Sequence, residues 1–189
     1  MTVQGWELGL FGGSSPAQTL ARPPLLLSEL LHLSYLSYYF IIYLPPILLW
    51  ARKREQAFWH TTAALMAVFA ICYLIFTVFP VQGPRYVWAP PLNVPSGPVR
   101  AFALSLLQAG SSRGTAFPSS HVAVAFTQTV VALYWQRTVG IACLVLSVLL
   151  GIGAVWGGFH YGVDVLAGAV LGLAIGAVAL ARQSGSLRA

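Results

Sequence analysis

The chain has 189 residues, of which 58% are hydrophobic and 7% are charged, and its mean hydropathy is +0.77. So much apolar surface exceeds what the core of one small soluble domain can bury, which excludes an ordinary soluble protein. We expect membrane lipid, and not nucleic acid, as its partner.

The first 25 residues are predicted to form an interfacial segment ahead of a helical core at 26–182, within one integral membrane domain over 1–189. Trp6 and Phe11 precede a Gly- and Ser-rich turn that ends at Pro16, a pattern that suits a segment lying at the membrane surface. The segment lacks the basic and long apolar regions of a cleaved signal peptide. An N-terminus on the outer side would mean either that the chain inserts with its N-terminus outside or that a further helix lies upstream.

The apolar residues cluster in runs of roughly 20, the length that a helix needs to cross a hydrocarbon core of about 30 Å. Polar and apolar residues do not alternate along these runs, so a membrane β-barrel is not indicated. We therefore predict an all-α fold, a polytopic membrane helix bundle with about five transmembrane helices, at roughly 30–50, 57–80, 121–136, 138–156 and 162–181.

Basic residues predict the orientation of the bundle. If the helices alternate in direction, six basic residues fall on one side and four on the other, and the dense cluster Arg52-Lys53-Arg54 marks the first side as cytoplasmic. Arg137, Arg182 and Arg188 share that side, and Arg22 lies opposite. We expect a bacterial inner membrane protein.

Residues 81–117 form a connection much longer than two neighbouring helices need, rich in Pro, Gly and Ser. Within it, residues 99–107 are apolar enough for a short helix on the outer interface. Such a helix would shape the entrance for a lipid.

The fifth run carries Gly168, Gly172 and Gly176 at four-residue spacing. A stripe of small residues lets another helix approach closely. Packing within the chain is the simpler interpretation, and a homodimer seam is the alternative. Cys72 and Cys143 lie in separate apolar runs and are expected to be packing residues, and no zinc-ligand spacing is present. We expect no metal and no cofactor.

Alternating topology brings three polar clusters together on the outer side. They are Gln82 to Tyr86 after the second helix, Pro118 to His121 at the start of the third, and His160 to Asp164 at the start of the fifth. The start of a helix presents free N–H groups to an anion, and the hydroxyls of Ser119 and Ser120 add donors. Arg85 offers a guanidinium fork for phosphate oxygens, with Tyr86 beside it.

His160 and Asp164, the only aspartate, are four residues apart. On one helix face the carboxylate can accept a hydrogen bond from one imidazole nitrogen and leave the other free as a nucleophile or base. His121, on another helix, is then available to protonate a leaving oxygen. The clusters together predict phosphoryl transfer.

Each feature also has a purely structural interpretation. Ser119 and Ser120 can be helix caps, Arg85 a headgroup anchor, and His160 with Asp164 a structural pair. Two rival functions remain: an iron site formed by His121, His160 and Asp164, and a proton-coupled transporter, which would place the pair deep in the bundle. His32 and His60 have no neighbouring carboxylate and are expected to be structural.

At these residues the chain resembles the type 2 phosphatidic acid phosphatase superfamily, the membrane lipid phosphatases related to vanadium haloperoxidases. Phe117-Pro118-Ser119-Ser120-His121 is similar to the family's Pro-Ser-Gly-His motif, and Phe159 to Gly168 is similar to the motif whose core is His-x3-Asp. The resemblance implies that His160 forms a phosphohistidine, that Asp164 orients it, and that His121 is the general acid. Ser119 and Ser120 would bind phosphate.

Two family cations are missing from this sequence. Val78 stands where the first motif has lysine, Tyr86 follows Arg85 in place of proline, and Gly153-Ala154 replaces the usual Ser-Arg before the third motif. Arg100 and Arg113 are the candidate substitutes, and Arg113 is favoured because it lies eight residues before His121.

These departures, together with the stretch 33–39, resemble the branch that contains inositol phosphorylceramide synthases and sphingomyelin synthases. The acceptor therefore remains open. Water would make the protein a lipid phosphate phosphatase acting on a phosphomonoester or diphosphate, whereas a lipid or polyol hydroxyl would make it a headgroup phosphotransferase.

Overall fold

The structure is a computed structural model that describes residues 2–19, 24–88, 95–110 and 112–186, with side chains as far as residue 182. Arg22 and Arg188, which contributed to the predicted orientation, lie outside these ranges. The helices in chain order are α1 (Val3–Leu10), α2 (Pro16–Thr19), α3 (Leu25–Leu36), α4 (Tyr38–Ala51), α5 (Glu55–Val78), α6 (Pro84–Val87), α7 (Pro98–Gly110), α8 (Ser120–Trp135), α9 (Arg137–Trp156) and α10 (Gly162–Ser186).

Four helical stretches of the described chain are long and apolar enough to cross a membrane. They are Leu25–Ala51, which joins α3 and α4, then α5, α9 and Gly162–Arg182 of α10. The remaining predicted span, third in chain order, is α8, which has 16 residues and at about 1.5 Å per residue is about 24 Å long. The all-α fold and the polytopic helix bundle are confirmed, and the chain is an integral membrane protein.

Helix α8 occupies the centre of the bundle. Its apolar side chains, among them Val122, Val124 and Val131, are fully buried against α4, α5, α9 and α10. The surrounding helices instead expose large apolar side chains such as Phe40 and Val170. A helix surrounded by other helices need not match the bilayer thickness by itself, whereas the outer helices present the apolar surface that lipid requires.

The glycine stripe of α10 packs against α8 within the chain. A Cβ at Gly168 would contact the carbonyl oxygen of Ser119, one at Gly172 would overlap that of Ala123, and one at Gly176 would press on Val130. The stripe therefore allows two helix backbones to approach, as the simpler interpretation predicted. Because α8 covers it, a homodimer through this stripe is not supported.

The two ends of the outer connection are joined to each other. Val81 N–H donates to the carbonyl of Gly114 at 3.1 Å, and Ala116 N–H donates to the carbonyl of Val81 at 3.0 Å. The predicted outer helix is α7, which is longer than expected. Glu29 of α3 holds the start of α7 by accepting from the N–H groups of residues 97, 99 and 100.

The N-terminal segment folds onto the start of α10. The Glu7 side chain is fully buried and accepts hydrogen bonds from the N–H groups of Gly162 at 3.1 Å and Val163 at 2.9 Å, and from the Ser15 hydroxyl at 2.7 Å. These N–H groups are among those that a helix start leaves without an intrahelical partner. The segment expected to lie at the interface is thus also a cap on the helix that follows His160.

Candidate active site

One cavity of about 220 Å³ lies where α5 ends and where α8 and α10 begin. Its polar wall includes Arg85, Ser120, His121 and His160, and its other walls come from α3, α4, α5 and α7. The apolar and aromatic lining residues are Tyr35, Leu36, Tyr38, Tyr39, Tyr73, Phe76, Ala103, Leu106, Leu107 and Phe159. Members of all three polar clusters thus border one space with a largely apolar remainder.

The imidazole of His160 has a defined tautomer. Its Nδ1 lies 3.0 Å from the carbonyl oxygen of Ala116, and a carbonyl oxygen only accepts, so Nδ1 carries the proton. In the neutral ring, Nε2 then holds the lone pair. The side chain is buried except where it borders the cavity, which makes Nε2 suitable for attack on a bound phosphorus.

Asp164 stands behind His160 rather than in the cavity wall. Its Oδ2 is 3.6 Å from His160 Nδ1, an ion-pair distance, and accepts a hydrogen bond of 2.8 Å from Tyr161 N–H. The expected hydrogen bond along one helix face does not form, because α10 begins at Gly162 and His160 precedes it. The Ala116 carbonyl takes that place, and the carboxylate supports the ring electrostatically.

His121 faces His160 across the cavity, with 6.1 Å between the ring centroids. Its Nε2 lies 3.3 Å from the Tyr35 hydroxyl. Its Nδ1 is buried and has no hydrogen-bond partner in the described part of the chain. A phosphoryl group between the two rings would therefore meet one nitrogen of each histidine.

The two serines are in different positions. Ser119 is fully buried, its hydroxyl accepts from Val122 N–H at 3.5 Å as the cap of α8, and its own N–H donates to the Asp164 carbonyl at 3.0 Å. Ser120 lines the cavity. Ser119 therefore has the structural role considered above, and Ser120 is the hydroxyl within reach of a substrate.

Two guanidinium groups meet at Tyr86. Arg85 lies 4.6 Å and Arg113 5.3 Å from the centroid of the Tyr86 ring, and Arg85 Nη2 donates to the Tyr86 hydroxyl at 2.7 Å. Both distances fall within the range of cation–π contacts. The hydrogen bonds that join the two ends of the outer connection thus bring Arg113 to the tyrosine that Arg85 contacts. Both Arg85 and Tyr86 line the cavity.

The positions of the missing family cations hold residues that do not line the cavity. Val78 is 76% exposed and is not part of the cavity wall. At Gly153 even a Cβ would overlap the carbonyl oxygen of Leu31, because α3 packs directly on α9, and Ala154 is fully buried. Helix α3 thus occupies the space that a larger side chain at 153 would need.

Three contributors to the site were not predicted. They are the Ala116 carbonyl, the cap formed by Glu7, and Tyr35. The rarity of acidic residues was a usable signal for Glu7, since only four occur in the chain.

The residue after His160 also contacts the N-terminal segment. Burial raises the pKa of the Tyr161 phenol, so its hydroxyl stays neutral, and it accepts a hydrogen bond from Gln4 Nε2 at 3.4 Å.

The rival functions match this geometry less well. Within the ranges described above, His, Cys, Asp and Glu side chains do not group in threes as an ion site requires, and Asp164 lies outside the cavity wall. A proton relay through a transporter predicts a deep histidine–aspartate pair, but His160 and Asp164 stand where α10 begins. An exposed phosphate group can reach that end.

Two curated proteins share a stretch of sequence with this chain. The chain is 39% identical over 57 residues to the bacitracin transport permease protein BcrC of Bacillus licheniformis, which covers 30% of the chain and 28% of that protein. It is 35% identical over 60 residues to the undecaprenyl-diphosphatase BcrC of Bacillus subtilis (strain 168), which covers 32% of the chain and 31% of that protein. These matches span less than a third of either relative.

The fold has a counterpart among solved structures. The crystal structure of Aquifex aeolicus LpxE superposes with a TM-score of 0.62 at 20% identity and covers 87% of this chain and 92% of that one. The sequence profile of the PAP2 superfamily matches residues 7–178, which run from the second half of α1 through the three polar clusters and the core of the bundle. With nearly its whole length matched, the chain belongs to the PAP2 superfamily.

Proposed function

We propose that this protein is a membrane lipid phosphate phosphatase that acts through a phosphohistidine on His160. The observation that carries the proposal is the pair His160 and His121, which face one another across a cavity with an arginine in its wall and apolar residues around the rest. This arrangement suits a phosphate attached to a lipid chain. The PAP2 membership and the name of the Bacillus subtilis relative support the same reaction class.

The reaction takes place in two displacements. His160 Nε2 attacks phosphorus, the bond from phosphorus to the leaving oxygen breaks, and that oxygen receives a proton from His121. Water then attacks the phosphohistidine, gives a proton to His121, and releases phosphate from Nε2. Asp164 and the Ala116 carbonyl keep the His160 ring oriented through both steps.

The substrate phosphate would be held by Arg85, Arg113, Tyr86 and the Ser120 hydroxyl. Charge accumulates on the phosphoryl oxygens as the bonds change, so donors at the cavity mouth stabilise the transition state more than the ground state. Ser119 contributes indirectly, because it caps the helix that presents Ser120 and His121. The substrate class is a phosphomonoester or diphosphate of a lipid.

We further propose that 1–189 is one domain in a bacterial inner membrane, with the cavity on the outer side. The basic turn Arg52 to Arg54 lies between α4 and α5, at the end of the bundle opposite to the starts of α8 and α10. This charge distribution supports a cytoplasmic basic turn and an outward-facing cavity.

The test is a metal-free assay of phosphate release. We expect the purified protein in chelator to release inorganic phosphate from phosphatidic acid or from a prenyl phosphate or diphosphate. His160→Ala is expected to abolish release, and His60→Ala, at the opposite end, is the matched control. Equal rates for His160→Ala and the parent would overturn the assignment of the nucleophile.

The same assay distinguishes water from a hydroxyl acceptor. Ceramide, diacylglycerol or inositol is added with the lipid phosphate, and products are separated by mass. Hydrolysis predicts free phosphate in every case. Phosphodiester products formed at the expense of free phosphate would instead identify a headgroup phosphotransferase.

A further inference from the structure

The direction of the His121 ring depends on a residue outside the family motifs. An imidazole can rotate by half a turn within its site and exchange the positions of its ring nitrogens and carbons, so it needs a polar partner to fix it. Nδ1 of His121 is buried and lacks a partner among the residues that the structure describes. The Tyr35 hydroxyl, 3.3 Å from Nε2, is the polar contact recorded for this ring.

Tyr35 is itself firmly held. It is only 6% exposed, and its ring packs against Phe159 with 4.7 Å between centroids, immediately before His160 in the chain. The close approach of α3 to α9 at Gly153 places it there, since a Cβ at that glycine would also lie 3.6 Å from Tyr35 N. A single tyrosine thus contacts His121 and the residue next to His160.

Tyr38 provides an internal comparison. Its ring centroid is 4.3 Å from that of His121, closer than the 5.2 Å of Tyr35, and it is also buried. No hydrogen bond joins the Tyr38 hydroxyl to His121 within the described chain. Tyr38 therefore supplies packing to the imidazole, whereas Tyr35 supplies packing and a polar contact at Nε2.

We propose that Tyr35 is a positioning residue for the acid step: its hydroxyl oxygen accepts the Nε2 proton of His121 before substrate binds and so keeps Nε2 on the cavity side, where the leaving oxygen then replaces the tyrosine as the acceptor of that proton. The proposal rests on the proposed function above, in which His121 protonates the leaving oxygen. With the unpaired Nδ1 packed against protein, only Nε2 can pass a proton to a substrate. Removal of the Tyr35 hydroxyl leaves both orientations of the His121 ring without a polar partner. The ring then no longer prefers the orientation that directs Nε2 into the cavity.

The kinetic test compares Tyr35→Phe with Tyr38→Phe on two substrates. A lipid monophosphate releases an alkoxide that requires a proton, whereas p-nitrophenyl phosphate releases an oxygen that does not. Tyr35→Phe is expected to lower kcat on the lipid phosphate about 10- to 100-fold with little change in KM, since positioned acid catalysis contributes about 10²- to 10⁴-fold. For the pre-steady-state release of p-nitrophenolate, which precedes the water step that also uses His121, we expect less than about a 3-fold change, because protonation of this leaving group contributes little.

Tyr43→Phe, at an exposed tyrosine of α4 that does not border the cavity, is expected to keep near-parental rates on both substrates. Tyr38→Phe removes a hydroxyl that makes no contact to Nε2, so its loss on the lipid phosphate should be smaller than that of Tyr35→Phe. Parental activity of Tyr35→Phe on the lipid phosphate would overturn the proposal. Equal losses in the release of the two leaving groups would also overturn it, because they would indicate a general structural defect rather than a defect in the acid step.

A second measurement does not depend on turnover. In protein labelled with ¹⁵N-histidine and held in detergent micelles, Tyr35→Phe should shift the His121 Nε2 resonance, assigned by its loss in His121→Ala, while Tyr38→Phe leaves it nearly in place. An unchanged resonance would overturn the contact. A shifted resonance in a protein that hydrolyses neither substrate would instead remove the proposed function, and with it the role of Tyr35 in the reaction.

Discussion

At the scale of single residues, the site relies on backbone groups as much as on side chains. The Ala116 carbonyl fixes the proton of His160 on Nδ1, and the N–H groups of residues 161 to 163 are occupied by the carboxylates of Asp164 and Glu7. A nucleophilic imidazole needs one nitrogen with its lone pair available. The structure achieves this with a carbonyl acceptor, while the aspartate holds the turn that carries the histidine and places a negative charge beside the ring.

Asp164→Asn is predicted to reduce kcat without unfolding the protein. The amide can still accept from Tyr161 N–H through its oxygen, but it removes the negative charge 3.6 Å from His160 Nδ1. That charge stabilises the imidazolium character that develops when Nε2 bonds to phosphorus. We expect a loss on the order of 10- to 1000-fold, as for other interactions with developing charge, measured as phosphate release alongside an unchanged unfolding temperature.

Arg113→Ala is predicted to lower kcat/KM about 10- to 100-fold, the range for one donor lost from a site of developing charge. Its guanidinium contacts the same tyrosine ring as Arg85, so it can compensate for the cations that positions 78 and 154 lack. Arg137→Ala, exposed at the other end of the bundle, is the matched control. A parental rate for Arg113→Ala would leave Arg85 as the cation responsible.

At the scale of elements, two glutamates perform equivalent tasks. Glu7 caps α10 from the N-terminal segment, and Glu29 caps α7 from α3. Each carboxylate pairs with backbone N–H groups at the positive end of a helix, where an acidic group is stabilising. Through these contacts the N-terminal segment holds the helix that follows His160, and α3 holds the helix that walls the cavity.

Glu7→Ala is predicted to destabilise the fold by about 1–3 kcal/mol, the cost of leaving buried donors without a partner. Thermal unfolding in detergent measures this, and Glu55→Ala, on an exposed glutamate, should have little effect. Since the lost acceptors serve Gly162 and Val163, activity should fall below the unfolding temperature as well. Equal stability of the two variants would show that the cap does not contribute.

At the scale of the whole molecule, the bundle surrounds one short central helix and gathers its polar chemistry at one end. Helix α8 contacts α4, α5, α9 and α10. Its first turn therefore places Ser120 and His121 beside the end of α5 and the start of α10. Large apolar side chains cover the outside, as a lipid environment requires. The cavity shares its apolar walls with helices that face lipid, which suits a substrate with a membrane-embedded chain.

The proposed orientation predicts which end of the bundle can be labelled from outside. Gln108→Cys on α7 should react with a membrane-impermeant maleimide in intact cells. Lys53→Cys in the basic turn should react only after permeabilisation. The native Cys72 and Cys143 are buried, so background labelling is expected to be low. The reverse pattern would place the cavity in the cytoplasm.

The sequence by itself determined the fold class and the principal chemical groups of this protein. Hydropathy predicts the five helices because a bilayer admits few other structures. Short polar motifs at helix ends identify His121, His160 and Asp164 because charged and polar groups are costly next to lipid. These are local properties, so neighbouring residues in the chain are sufficient to reveal them.

Only the tertiary structure decided how the groups are paired. Tyr35 lies 86 positions from His121 and Glu7 lies 155 positions from Gly162. A backbone carbonyl such as that of Ala116 is present in every residue type, so a sequence cannot indicate which one will accept a hydrogen bond. The separate roles of Ser119 and Ser120 depend on which side of the α8 start faces the cavity. Such contacts arise from close helix packing at Gly153 and Gly168, which the spacing of small residues permits but does not specify.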